Sequence, residues 1–271
     1  MSIDLGDSML EHNHFLIPDS YMLYGFHSSH SKAGLRKAGL WESNLEEARA
    51  ASKNVPWDLK VPKVYWRGAD NGKAYGVSNE EVWANLPKYY PRVELVRMSV
   101  QYPKLIDAML THDIQGESDI ERYKSIGLED HLTHLRFSIT DHVYFKYLIS
   151  LDGWTSAGMR VPWILATNCV LLKQESLKVE WFDYALKPYV HYYPVKSDLS
   201  DLLQAIEYLE KNQDVAQEIT RNANKFVETY FDRERITEAA KAPFREYAGI
   251  QNYTFSDTER ELALSFDVPY H

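Results

Sequence analysis

The sequence predicts an α/β fold built on a mainly parallel sheet. Three observations carry that prediction. Phe145 to Leu172 reads strand, tight turn, helix, strand, the grammar of a βαβ unit. From residue 64 onward, apolar runs of strand length alternate with segments of helical period. Val215 to Tyr230 and Ile236 to Ala248 are amphipathic, with Asp214 and Asp232 at or near their starts.

Taken in order, Ser2 to Leu5 reads as a short strand ending at Gly6-Asp7. Leu40 to Ser52 has helical periodicity with acidic residues early. Val64-Tyr65-Trp66 is a strand running into Arg67-Gly68-Ala69-Asp70-Asn71-Gly72-Lys73. Glycines there permit close backbone approach, and the cations Arg67 and Lys73 suit phosphate oxygens. A hairpin turn on Asn71-Gly72 fits the same residues. Ser78 to Leu86 is a helix opened by a capping box, Ser78 with Glu81. Val93 to Val100 reads as a strand, Leu105 to Leu110 as a short apolar run, and Ile114 to Ile126 as polar surface. Tyr147 to Leu151 and Val170 to Leu172 are the strands of the βαβ unit. Tyr189 to Val195 holds a further strand, and a helix starts at Ser197-Asp198-Leu199.

Composition narrows the class. The 271 residues are 45% hydrophobic and 25% charged, as in a soluble globular protein. A formal net charge of −9 argues against nucleic acid as the default partner. Tyr (19) and Trp (7) are plentiful; such side chains line carbohydrate sites but more often build cores. One cysteine, Cys169, cannot form an internal disulfide. No run of about 18 apolar residues is present. The expectation is a soluble cytoplasmic protein with no integral membrane segment. His12, His14, His27 and His30 are dense, but their spacing matches no standard metal motif.

The turn Asp152 to Gly158 is the leading candidate site. After a βαβ unit's first strand, the turn meets a helix N-terminus whose free N–H groups attract anions. Arg160, in the first helical turn, adds a cationic fork suited to a diphosphate. An ordinary βα turn with a solvated arginine fits the local pattern as well. Asp7 is a carboxylate at a strand end, where α/β folds put chemistry, although a solvated N-terminal aspartate fits the same residue.

Residues 144–231 resemble a known family. The segment YFKYLISLDGWTSAGMRVPWILATNCVLLKQES, the run Lys187-Pro188-Tyr189-Val190-His191-Tyr192-Tyr193-Pro194-Val195-Lys196 and Asp214-Val215-Ala216-Gln217-Glu218-Ile219 carry the resemblance. Tyr65-Trp66-Arg67-Gly68 and Leu105-Ile106-Asp107-Ala108 extend it. They resemble the CAP10 domain of glycosyltransferase family 90, which includes the Rumi-type protein O-glucosyltransferases. The resemblance implies a GT-B-like fold of two Rossmann-like halves. The C-terminal donor half would bind a UDP-sugar without an obligatory metal or other cofactor, and the reaction would invert the anomeric centre. It places the diphosphate on Arg160 and the backbone of Ser156, Ala157 and Gly158, with Arg67, Gly68 and Lys73 supporting. It places the general base on Asp7, although Gly6 and Met9 depart from the arginine and proline of the family's base motif. Asp152 and Glu175 are candidates for ribose or sugar contact, and Asp141 and His142 for the base pocket.

Residues 1–60 would then be a reduced acceptor-side region bearing the base, 61–231 the UDP-sugar domain, and 232–271 a helix and tail packing back on the N-terminal part. Compact versions of this kind are similar to a xylosyltransferase of large algal viruses, so xylose is expected ahead of glucose. The partners would be a UDP-sugar donor and a glycan or glycoprotein acceptor. Two other readings stand beside this one. A glycoside hydrolase would need two carboxylates flanking a sugar. An inactive UDP-sugar or glycan-binding module would bind without turnover.

Overall fold

The computed structural model describes residues 3–4, 8–9, 15–16 and 40–250, apart from 75, 112–116, 155 and 158. Three two-residue strands come first: β1 (Ile3–Asp4), β2 (Ser8–Met9) and β3 (Phe15–Leu16), with β1 parallel to β3. Helix α1 (Leu40–Lys53) follows. Among the described residues, six parallel strands form the central sheet. They are β4 (Val61–Gly68), β5 (Ile106–Thr111), β6 (Leu132–Thr133), β7 (Phe145–Ser150), β8 (Val170–Gln174) and, after the short β9 (Lys178–Val179), β10 (Tyr193–Val195). β9 pairs antiparallel with β2.

The strand order is β10-β8-β7-β4-β5-β6. The chain begins in the middle at β4 and steps outward through β5 and β6. It then crosses back to β7 and steps outward the other way. This is the doubly wound Rossmann order, and its switch point lies between β4 and β7. The parallel α/β sheet expected from the alternation is therefore present.

Both faces of the central strands β4, β7 and β8 are largely buried, so Val64 to Trp66, Tyr147 to Ile149 and Val170 to Leu172 are continuous apolar runs. Side chains alternate between two cores. Val64, Trp66, Tyr147, Ile149, Val170 and Leu172 face one core, together with α4 (Pro91–Gln101) and α8 (Leu202–Lys211). Tyr65, Leu148 and Leu171 face the other, with α1, α7 (Arg160–Leu165) and α9 (Gln213–Tyr230). The remaining helices are α2 (Asn79–Ala84), α3 (Leu86–Tyr89), α5 (Glu117–Ser125), α6 (Ile139–His142) and α10 (Arg233–Ile250). Arg233 at the start of α10 pairs with Glu42 of α1 at 2.5 Å. Cys169 is buried, with the Lys60 ammonium nitrogen 3.3 Å from its sulfur. No helix among the described residues is long and apolar enough to cross a membrane.

Three local expectations are corrected. Val93 to Val100 lies in helix α4, not in a strand. Pro91 opens that helix, and Val93, Glu94, Leu95, Val96, Met98 and Ser99 are all buried, so no polar face marks its period. Asn71-Gly72 makes no hairpin, because β4 pairs in parallel with its neighbours β5 and β7. The segment before residue 126 contains α5, whose Tyr123 is fully buried. The Ser78–Glu81 capping box forms as expected, and the helix read from Ser197 begins at Leu202.

Gly72 has φ +92°, and a Cβ there would lie 2.9 Å from the backbone of Gly153. Gly76 has φ +70° with nothing within 4 Å. Both Gly→Ala variants carry left-handed strain of about 1–2 kcal/mol. Gly72→Ala adds overpacking and is expected to lose about 1–3 kcal/mol more than Gly76→Ala in urea unfolding. Equal losses would show that the two loops can part freely.

Candidate functional site

The C-terminal ends of β4 and β7 form the crevice at the switch point. Residues 69–73 leave β4 and residues 151–154 leave β7. They touch through their glycines: a Cβ on Gly153 would sit 2.3 Å from Asn71 Oδ1 and 3.0 Å from Arg92 Nη2. Arg92, in the first turn of α4, joins the two loops. Its Nε donates to the Asp152 carbonyl at 2.9 Å, Nη1 to the Ala69 carbonyl at 3.0 Å and Nη2 to the Leu151 carbonyl at 3.0 Å. Asp70 is buried beside this clamp. Tyr123 donates to its carboxylate at 2.9 Å, and Tyr90 donates to its backbone carbonyl.

Arg160 opens α7 and reaches over β4. Its Nη2 donates to the Arg67 carbonyl at 2.8 Å, and its guanidinium lies 5.8 Å from the Trp66 ring centre. Arg92 lies at the same distance from that indole. No carboxylate among the described residues lies within ion-pair distance of either arginine. Burial first, and then the Arg92 charge, weaken the hold of Arg160 on its proton. It stays a guanidinium at neutral pH nonetheless.

Arg67 has a different environment. It pairs with Asp107 at 2.7 Å, donates to the Trp66 and Asp107 carbonyls, and stacks over Tyr65 and Phe137. Its charge is thus neutralised inside the protein. Gly68 lets the Trp66 ring fold over the strand end, since a Cβ there would meet the ring at 2.5 Å. Lys73 turns to Asn79 Oδ1 at 3.1 Å.

On the other loop, the Asp152 N–H donates to Gln174 at 3.1 Å. Burial raises the Asp152 carboxyl pKa, against the pull of Ser176, Lys178 and Lys173. Lys178 donates to the Gly153 carbonyl at 2.7 Å. The Ser156 hydroxyl donates to the buried carboxylate of Glu180. The Ala157 carbonyl accepts the N–H of Arg160 at 2.8 Å, the first bond of the α7 turn.

Asp152, Ser156 and Ala157 therefore lie on the loop that leads to Arg160, and Gly68 ends the strand beside it. Glu175 is exposed past the end of β8. Asp141 caps α6 by accepting from Ser138. Asp7 and Gly158, with His12, His14, His27 and His30, lie outside the described residues. Sequence reasoning missed Arg92, Asp70, Tyr123 and Glu180. A charged residue directly after Pro91 at the head of an apolar run was the one available signal for Arg92.

His142 is buried under this crevice. Its Nδ1–H donates to the Ser138 carbonyl at 2.7 Å, and its ring meets Tyr65 and Trp163 edge-on. Burial, then the Arg160 charge, lower its pKa to about 4.

Fold and crevice together define a Rossmann-type α/β protein with a cationic site at its switch point. The chain belongs to the family described as Glycosyl transferase family 90, which matches residues 21–265. It is 30% identical over 195 residues to Protein O-glucosyltransferase 2 of Danio rerio, covering 72% of this chain and 34% of that protein. It is 29% identical over 201 residues to Uncharacterized protein 179R of Invertebrate iridescent virus 6, covering 68% and 16%. The chain thus spans about a third or less of these relatives. Among solved structures, it is similar to sucrose-phosphate synthase from Thermosynechococcus elongatus, with TM-score 0.46 and 13% identity over 88% of this chain and 53% of that one.

The His142 environment sets an acid limb of stability. The unfolded chain takes up a proton below about pH 6.5, while folded His142 does so only near pH 4. The unfolded state binds more protons in that window, so stability rises with pH across it. Wild type is expected to lose about 3 kcal/mol through His142 between pH 7 and pH 4. Urea unfolding of His142→Phe should show that much less acid loss; an unchanged pH slope would refute the assignment.

Proposed function

We propose that this chain is an inverting, metal-independent glycosyltransferase that moves xylose, or glucose, from a UDP-sugar to an acceptor hydroxyl on a glycan or protein. The observation that carries the proposal is Arg160. It stands at the switch point with no carboxylate partner among the described residues, at the position where family resemblance puts the donor diphosphate. Membership of glycosyl transferase family 90 supports the reaction class. The relative in Danio rerio is named for O-glucosyl transfer to protein, which supports a protein or glycan acceptor.

In such a transfer the acceptor oxygen attacks the anomeric carbon as the bond to UDP breaks. Negative charge develops on the departing β-phosphate. Arg160, with the backbone at Ser156, Ala157 and Gly158, would stabilise it by preorganised charge and N–H donors. Arg67 would act mainly by holding the strand end, its charge being met by Asp107. Lys73 would be a longer-range cation, and Asp152 and Glu175 candidate contacts for ribose or sugar. Asp141 and His142 would shape the wall near the nucleobase. Asp7 would accept the acceptor's proton, as the family resemblance implies. One cysteine cannot form an internal disulfide, so nothing in the composition calls for an oxidising compartment, and a cytoplasmic location is the default reading.

The test is titration with UDP, followed by turnover of UDP-xylose and UDP-glucose in competition. Arg160→Ala is expected to weaken UDP binding by roughly ten- to a hundredfold, the loss of a charge-assisted contact. Unaltered UDP affinity in that variant would remove Arg160 from the site. Asp7→Ala should keep UDP affinity within about threefold and lose roughly 10²–10⁴ in kcat, the usual contribution of a general base. Full turnover in Asp7→Ala would refute the base assignment. UDP binding by wild type with no transfer to any acceptor would favour the inactive binding module.

A further inference from the structure

The ends of parallel strands present backbone carbonyls, whose partial negative charge opposes an incoming anion. Three such carbonyls follow the strands that flank the switch point: Ala69 after β4, and Leu151 and Asp152 after β7. All three are taken by one guanidinium, that of Arg92. The residue is 9% exposed, so its geometry is fixed by packing as well as by hydrogen bonds. Those bonds use three of the five N–H donors of an arginine. Asp152 and Asp70 offset part of its charge, but neither carboxylate comes within ion-pair distance. Arg92 is also near enough to Arg160 for the two charges to repel. Two like charges held together in a protein interior are unfavourable until an anion joins them.

We propose that Arg92 is a positioning residue for the anionic part of the donor. It turns three strand-end carbonyls away from the ligand and adds a second fixed positive charge behind Arg160. The crevice thereby selects a nucleoside diphosphate over an uncharged nucleoside. This rests on the UDP-sugar reading of the same crevice. Arg92 acts through the Ala69, Leu151 and Asp152 carbonyls and through Arg160.

A purely structural role and this one differ in a measurable ratio. A loosened fold weakens every ligand of the crevice alike, whereas loss of the clamp's charge and fork weakens only the charged part. The experiment is calorimetric titration of wild type, Arg92→Met and Arg92→Lys with UDP and with uridine, alongside circular dichroism of each protein. Arg92→Met is expected to weaken UDP at least tenfold and uridine no more than threefold. Arg92→Lys keeps the charge but cannot span three carbonyls, and is expected to lower the UDP-to-uridine preference three- to tenfold. Where Arg92→Met does not fold, Arg92→Lys decides. A preference within twofold of wild type in Arg92→Lys, or equal losses for both ligands in Arg92→Met, overturns the proposal and leaves the donor site standing. Failure of wild type to bind UDP at all overturns the donor reading and this proposal together.

Discussion

One guanidinium holding three carbonyls is the contact on which the middle of this molecule depends. The switch point of a doubly wound sheet is a gap, because adjacent strands there send their crossovers in opposite directions. Loops leaving such a gap have no sheet partner for their backbone groups. Unsatisfied carbonyls at that depth would each be unfavourable by about 1–3 kcal/mol. Arg92 resolves this for Ala69, Leu151 and Asp152 at once. A buried charge needs hydrogen bonds to be tolerable, and the three carbonyls take three of the five N–H donors of this guanidinium in return. Gly72 and Gly153 meet closely beside the same contact, and the guanidinium carbons of Arg92 and Arg160 each lie 5.8 Å from the Trp66 ring centre.

Neighbouring arginines then take different parts because of what faces them. Arg67 and Arg160 are joined by a hydrogen bond from one side chain to the other's carbonyl. Asp107, opposite Tyr65 on the paired strand β5, reaches Arg67 at 2.7 Å and neutralises it. Nothing comparable among the described residues faces Arg160. Below them, His142 is kept neutral by burial and by the Arg160 charge, so it packs between Tyr65 and Trp163 as an aromatic ring.

Much of the fold was legible because local signals and tertiary demands agree. The β7–α7–β8 unit is announced by two apolar runs and a small-residue turn. The helix at Ser78 is announced by its capping box, and α9 by its amphipathic face. Legibility failed where burial erased the period. In α4 almost every side chain from Arg92 to Ser99 is inside, so its β-branched residues imitate a strand. The site divides the same way. Arg160 stands directly after a βα turn, where a local pattern can find it. Arg92 meets its partners across 23, 59 and 60 residues of chain, and no local pattern encodes that. Glu180 becomes a site residue only because the fold lays Ser156 against it.

The buried cysteine has a consequence of a different kind. Cys169 is the chain's one thiol, sealed at the head of β8 beneath Lys60, with burial raising its pKa. A thiol in that setting is poorly nucleophilic and out of reach of reagents. It reacts when the sheet around β8 opens, and so it marks each molecule that has opened. The protein therefore carries its own clock: the rate at which a thiol reagent in excess consumes Cys169 records how often the centre of the fold comes apart.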